Sequence, residues 1–364
     1  MKKIISSLLI SACAFFANAQ DMTWHPVDNL PLLGKAIDDN AAAARYQRLP
    51  DSLKNKVKRP DLFYLGQHSA GMALRFASDS PFISVKWHSL FKSLMNHQTP
   101  TGTRGLDLYS LQPDGTWTFM NSARPDINNN NTAARIISNM DPVMREYLLY
   151  LPLYDGIDSI YIGTATGSAF KLPEVNLPEV RKPIVMYGTS ILQGGCANRP
   201  GMAHTNQLRR RLNRDVINFG FSGNGQLDLE IAEVLAAIPD PGMYMLDFVP
   251  NVNEAQIDTL MIPFVEIIEK AHPGIPILFG EDPIFPHTRF DHRMRDEVYT
   301  RNALAREKYD ILASRYPNIY FVPSFDYVGH DNEAFVDGIH YTDLGFKRLT
   351  DCLEPVIRKI LSEQ

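Results

Sequence analysis

From residue 184 onward the chain alternates short apolar runs with helix-length segments, and this alternation constrains its fold more than any other feature. The runs cover 184–187, 216–219, 243–248, 275–279 and 319–322. Helical patterns lie between and after them at 202–212, 227–238, 253–271, 290–315 and 344–361. The apolar runs are too short for buried helices but suit strands covered on both faces. Strand and helix in strict succession predict βαβ units and a parallel sheet, an α/β domain. In such sheets chemistry collects beyond the carboxyl ends of the strands, so each strand exit is where a site is to be sought.

The first half has a different texture. Between 61 and 169, short alternating or apolar runs at 72–76, 82–87, 105–109 and 159–162 are separated by turn signals such as Pro113-Asp114-Gly115. Many short strands without helical periods predict an all-β sandwich, jelly-roll-like in character. Residues 20–60 read as mostly irregular chain. The near-repeat Leu172-Pro173-Glu174-Val175 and Leu177-Pro178-Glu179-Val180 reads as a linker or an extended crossing strand. The expected organisation is a leader at 1–19, a β-sandwich at 20–170, a linker at 171–183 and the α/β domain at 184–364.

The leader has the three parts of a secretory signal peptide: Lys2-Lys3, an apolar stretch over 4–16, and Ala17-Asn18-Ala19 before Gln20. The apolar stretch is too short for a retained span, so a secreted or periplasmic protein without stable membrane insertion is expected. Ile10-Ser11-Ala12-Cys13 also has the form of a bacterial lipoprotein box. Apolar Ala14-Phe15-Phe16 follows where a polar tether belongs, so an outer-membrane lipid anchor ranks second. Removing Lys2 and Lys3 takes the formal charge from −5 to −7, which gives no electrostatic reason to bind nucleic acid. Cys196 and Cys352 are expected as separate, partly buried thiols, although an oxidising compartment would let them pair.

Four strand exits or late turns carry chemistry-bearing residues. The first exit reads Tyr187-Gly188-Thr189-Ser190, then a turn rich in glycine, which suits an exposed nucleophile; an N-capping serine would use the same residues. The second, Phe219-Gly220-Phe221-Ser222-Gly223-Asn224-Gly225, lets backbone N–H groups approach a ligand. The third, Asp247-Phe248-Val249-Pro250-Asn251, offers a side-chain amide. Late in the chain, Asp337-Gly338-Ile339-His340 puts a carboxylate three residues before an imidazole that it can orient. Singly each has a structural explanation. Jointly they supply a nucleophile, an oxyanion hole, a base and its orienter for acyl transfer.

In that order the residues resemble the SGNH (GDSL-type) hydrolases. The resemblance covers about half the chain and implies a flavodoxin-like α/β/α sandwich. By motif it makes Ser190 the nucleophile, Gly223 and Asn251 oxyanion donors beside the Ser190 N–H, His340 the base and Asp337 its partner. Thr189 stands where Asp is usual, and Asp247–Asn251 replaces the usual Gly-x-Asn-Asp. Both departures resemble a bacterial subgroup whose N-terminal domain carries Gly-x-Asp-Leu-Tyr, present here at 105–109.

The expected reaction is ester hydrolysis without cofactor or metal. His-Glu-x-x-His is absent, and His287, Asp291 and His292 read as a surface loop. Ser222 is a rival nucleophile, but Asn224 occupies the final glycine of an α/β-hydrolase elbow. Cys196 is assigned to packing, and Glu281-Asp282-Pro283 to a pocket wall or a solvated turn. The expected substrate is an acylated small molecule or polysaccharide, an acetylated glycan first. A lipase, with 285–290 as a possible lid, is the alternative, and a non-catalytic glycan binder the rival from another class. Arg104, Asp107 and Tyr109 are candidates for the active-site rim, if the β-domain does more than stabilise.

Overall fold

The computed structural model describes residues 21–36, 45–174 and 179–363. The leader read at 1–19 lies outside them, as does 175–178 of the expected linker. Strands β1 (Met22–Pro26), β2 (Leu32–Leu33), β3 (Ala73–Ser78), β4 (Ile83–Ser89), β5 (Leu106–Leu111), β6 (Trp117–Ala123), β7 (Asn131–Ile137), β8 (Arg145–Tyr150), β9 (Ile157–Ala165) and β10 (Phe170–Lys171) form two antiparallel sheets. One is ordered β1-β9-β4-β7, the other β10-β3-β8-β5-β6 with β2 beside β3. Side chains two apart, Leu74 and Phe76, Val85 and Trp87, Leu106 and Leu108, Tyr147 and Leu149, share one core, as the pleat requires. The other face of the second sheet, with Ala73, Tyr109, Leu148 and Tyr150, is also buried. It meets the second domain, where the Tyr150 hydroxyl donates to Asn206 O at 3.0 Å.

Residues 21–36 and 45–60 are more ordered than the sequence suggests. They hold β1 and β2, and helix α1 (Pro60–Gly66) follows directly. Leu49, Leu53, Leu62, Phe63 and Leu65 pack into the core of the α/β domain, so this segment spans both domains in packing. A short helix α2 (Pro100–Arg104) precedes β5.

The second domain contains β11 (Glu179–Gly188), α3 (Ser190–Gln193), α4 (His204–Leu212), β12 (Arg214–Gly220), α5 (Leu229–Ala236), β13 (Met243–Asp247), α6 (Glu254–Ala271), β14 (Ile277–Gly280), α7 (His292–Arg315), β15 (Ile319–Val322) and α8 (Asp343–Ser362). Its sheet is parallel, ordered β12-β11-β13-β14-β15. Val185 and Tyr187 point to a core shared with α5, α6 and α7, whereas Ile184 and Met186 point to one shared with α4 and α8. That is a three-layer α/β/α sandwich. The first strand begins at Glu179, so part of the expected linker is strand.

Strand order then decides where chemistry can assemble. β11 lies between β12 and β13, and Gly188 is in register with Gly220 on one side and Asp247 on the other. The second and third strand exits therefore flank the first.

Candidate active site

Thr189 caps α3, its hydroxyl accepting the Ile191 N–H at 3.3 Å, so the capping role is filled and Ser190 is free for another. The Asp337 turn is pinned from both ends: Val336 N donates to His340 O at 2.8 Å and Thr342 N to Ala334 O at 2.9 Å. Gly338 sits at φ +88°, a left-handed conformation that favours glycine. The reversal lets one carboxylate serve its own turn. Asp337 Oδ1 accepts the N–H groups of Ile339 (3.0 Å) and His340 (2.8 Å), and Oδ2 accepts His340 Nδ1–H at 2.7 Å. Nε2 is thereby left as an acceptor, and the Ser190 hydroxyl lies 2.9 Å from it. Partial burial works against the Asp337 charge, but the hydrogen bonds from the His340 ring and from the His340 and Ile339 N–H groups win and bring the carboxyl down to about 2.

Around the second exit, Phe221 N donates to Gly188 O, Ser222 N to Gln193 Oε1, and Asn224 N and Gly225 N to Phe221 O. Gly223 N–H has no acceptor among the described residues, and Gly223 is left-handed at φ +66° with open space where a Cβ would stand. An unengaged N–H on an open turn is what an oxyanion requires. Asn251 closes the short turn after β13 and spends one amide hydrogen on Phe221 O at 3.2 Å, leaving the other. Tyr154 of the β-domain donates to Ser190 O at 3.1 Å, and Gln193 also bonds His68 and Leu153 O.

Several assignments change. Asp107 and Tyr109 form an interdomain clamp, not a rim. Asp107 is fully buried; its Oδ2 accepts from Arg199 Nη1 and Gly201 N, both at 2.8 Å, and its Oδ1 from the Ser122 hydroxyl at 2.6 Å. Tyr109 takes Arg199 Nη1 at 2.7 Å. The Gly-x-Asp-Leu-Tyr motif thus grips the segment that follows the Ser190 turn. Arg104 is buried too and bonds Asp126 O and Asn129 O. Asp282 is no solvated turn: it is fully buried and paired with Arg301 at 2.6 Å. Burial first, then the Asp282 charge, pushes Asp247 up to about 7. Ser222 has no imidazole partner among the described residues; the serine bonded to an imidazole is Ser190. Cys196 and Cys352 are free thiols, and burial, with Asp337 nearby, pushes Cys196 up to about 12.

The β-domain does reach the site, through a residue the sequence did not single out. His97 stands beside His340, ring centroids 5.5 Å apart. A lone loop histidine carries no local signal. A cavity of about 390 Å³ lies between the domains, walled by Asp61, Tyr64, Leu94, Tyr154, Ser222 and Asn224. A larger one, 710 Å³, opens at the opposite, amino-terminal edge of the sheet and is lined by none of these residues.

Asp107→Ala is expected to lower stability by about 3 kcal/mol, because it leaves Arg199 and Gly201 N without their buried acceptor. Thermal unfolding checks this, and a melting point unchanged within a degree or so would contradict the clamp.

Residues 181–358 match the model of the GDSL-like lipase/acylhydrolase family, and 22–170 match the N-terminal domain of SGNH-hydrolase-type esterases. No curated protein matches the chain. A protein described as a GDSL-like lipase from Bacteroides ovatus is 35% identical, with a TM-score of 0.87 over 94% of this chain and 98% of that one. A salicylyl-acyltransferase from a tetracycline biosynthetic pathway is 15% identical, with a TM-score of 0.74 over 94% and 98% of the two chains. A family two carbohydrate esterase from Cellvibrio japonicus is 11% identical, with a TM-score of 0.57 over 94% and 99%. At their identities the last two speak to the fold alone.

Proposed function

The chain belongs to the GDSL-like lipase/acylhydrolase family and is a carboxylic ester hydrolase, and on that premise we propose that it removes O-acetyl groups from a carbohydrate, with Ser190 as nucleophile. The observation that carries the assignment is the relay from Ser190 Oγ through His340 to Asp337, at 2.9 and 2.7 Å. His340 takes the hydroxyl proton as Ser190 attacks the ester carbonyl, and Asp337 stabilises the imidazolium. The N–H groups of Ser190 and Gly223 and the free amide hydrogen of Asn251 receive the oxyanion. His340 then protonates the departing alkoxide, and a water activated by the same imidazole releases the acid.

The sugar enters the proposal through the cavity between the domains. Tyr64, Leu94 and Tyr154 offer apolar faces, and Asp61, Ser222 and Asn224 offer hydrogen-bonding groups. A sugar ring presents the complementary pair, C–H faces and hydroxyl edges. The name of the Cellvibrio neighbour, a carbohydrate esterase of the same architecture, agrees with this reading. Export by the leader at 1–19 belongs to the proposal, since a polysaccharide is met outside the cytoplasm.

A second reading, hydrolysis of long-chain esters, is favoured by one observation. Phe290 is 85% exposed, on a loop whose His287 lies against Gly338 of the Asp337 turn. p-Nitrophenyl esters of increasing acyl length separate the two. Acetate is expected to be cleaved best, with kcat/KM falling as the chain lengthens, and to be released from acetylated oligosaccharides. A preference for long chains would replace it with the lipase reading.

A further inference from the structure

Beside the relay, three side chains that ester hydrolysis does not explain as a set converge from three chain segments. His97 comes from the β-domain, Cys196 follows the Ser190 turn, and His340 comes from the last turn before α8. One potential ligand atom from each lies within 4.8 Å of the others. Two imidazoles and a thiol suit zinc or a similar thiophilic cation, and do not suit calcium or magnesium, which want oxygen. Tetrahedral zinc places nitrogen and sulfur donors about 3.5 Å apart, so closing the set takes side-chain movements of about 1 Å. Both rings already have the outer partner that orients a metal-bound histidine: His97 Nδ1 lies 2.7 Å from Asn96 Oδ1, and His340 Nδ1 lies 2.7 Å from Asp337 Oδ2. The Asp337 carboxylate adds negative charge next to the set.

We propose that His97, Cys196 and His340 form an inhibitory site for a zinc-type cation. The proposal rests on the role assigned to His340 above. Each nitrogen of that ring is engaged, one by Asp337 and one by Ser190. A cation must take one of them, so a bound metal and a working base exclude each other. The thiol proton displaced on binding leaves to solvent, and water completes the coordination. The esterase is active when the site is empty and silent when it is filled.

The test uses the full chain, freed of metal by a chelator, and follows p-nitrophenyl acetate hydrolysis against added zinc for wild type, His97→Ala and Cys196→Ser. Wild type is expected to lose activity at low micromolar zinc, to recover with EDTA, and to bind one zinc per chain by native mass spectrometry. Each substitution should raise the half-inhibitory concentration at least about tenfold. Cobalt gives a readout independent of turnover. A thiolate-to-cobalt charge-transfer band should form in wild type and be missing from Cys196→Ser, which decides the matter even if a variant hydrolyses poorly. Equal zinc sensitivity in all three proteins, or no inhibition of wild type, would overturn the proposal. Activity measured before zinc is added keeps such a failure separate from a failure of the esterase assignment.

Discussion

Ser190→Ala lowers kcat/KM for p-nitrophenyl acetate by about 10⁴-fold or more while leaving the fold intact. The substitution removes the one atom that both attacks the ester and gives its proton to His340. The Gly223 N–H and the Asn251 amide survive it, so a residual rate above that in water should persist. Little stability is at stake, because the side chain is small and its neighbours Thr189, Gly194 and Gly195 are held by backbone bonds to the same turn. Steady-state kinetics with a thermal melt beside them check both halves. A variant that keeps wild-type turnover would remove Ser190 from the mechanism and bring Ser222 back.

Arg48→Met lowers stability by about 3–5 kcal/mol, the largest effect expected of a substitution away from the relay. Arg48 is buried and ion-pairs with no carboxylate among the described residues. Instead its guanidinium donates to the carbonyls of Leu65 (2.6 Å), His68 (3.0 Å), Asn218 (3.2 Å) and Gly220, and stacks on Phe221 at 4.8 Å. Burial pushes it down to about 9, so it is still charged at neutral pH. Methionine fills much of the volume but leaves those carbonyls without a donor. Two of them belong to β12 just before the Gly223 turn, so kcat should fall as well at temperatures where the variant is folded. A melting point within a few degrees of wild type would show that the carbonyls find other partners.

What was legible in the sequence follows the range of each signal. The five parallel strands could be read because period and length are local properties, and the strand exits that carry Ser190, Gly223 and Asn251 are local too. Asp337 and His340 are three residues apart, so their partnership needed no tertiary information. Strand order, which brings the exits of β12 and β13 against that of β11, had to come from the structure. So did each contact that spans the chain. Asp107 meets Arg199 across 92 positions and Arg48 meets Asn218 across 170, and nothing near either residue announces its partner. The Gly-x-Asp-Leu-Tyr motif was visible as a pattern, but its work as a clamp was not. Local sequence leaves Asp282 between a pocket wall and a solvated turn, because Arg301, which neutralises it, lies 19 positions away on α7. His97 shows the same limit most sharply, being a single loop residue whose meaning depends on where His340 ends up.

The most direct test of Ser190 as the nucleophile is covalent. Treating the folded protein with a fluorophosphonate and mapping the adduct by peptide mass spectrometry asks which hydroxyl the base has activated. One adduct is expected, on the peptide carrying Ser190 and lost in His340→Ala. An adduct on Ser222, or labelling that survives the loss of His340, would contradict it.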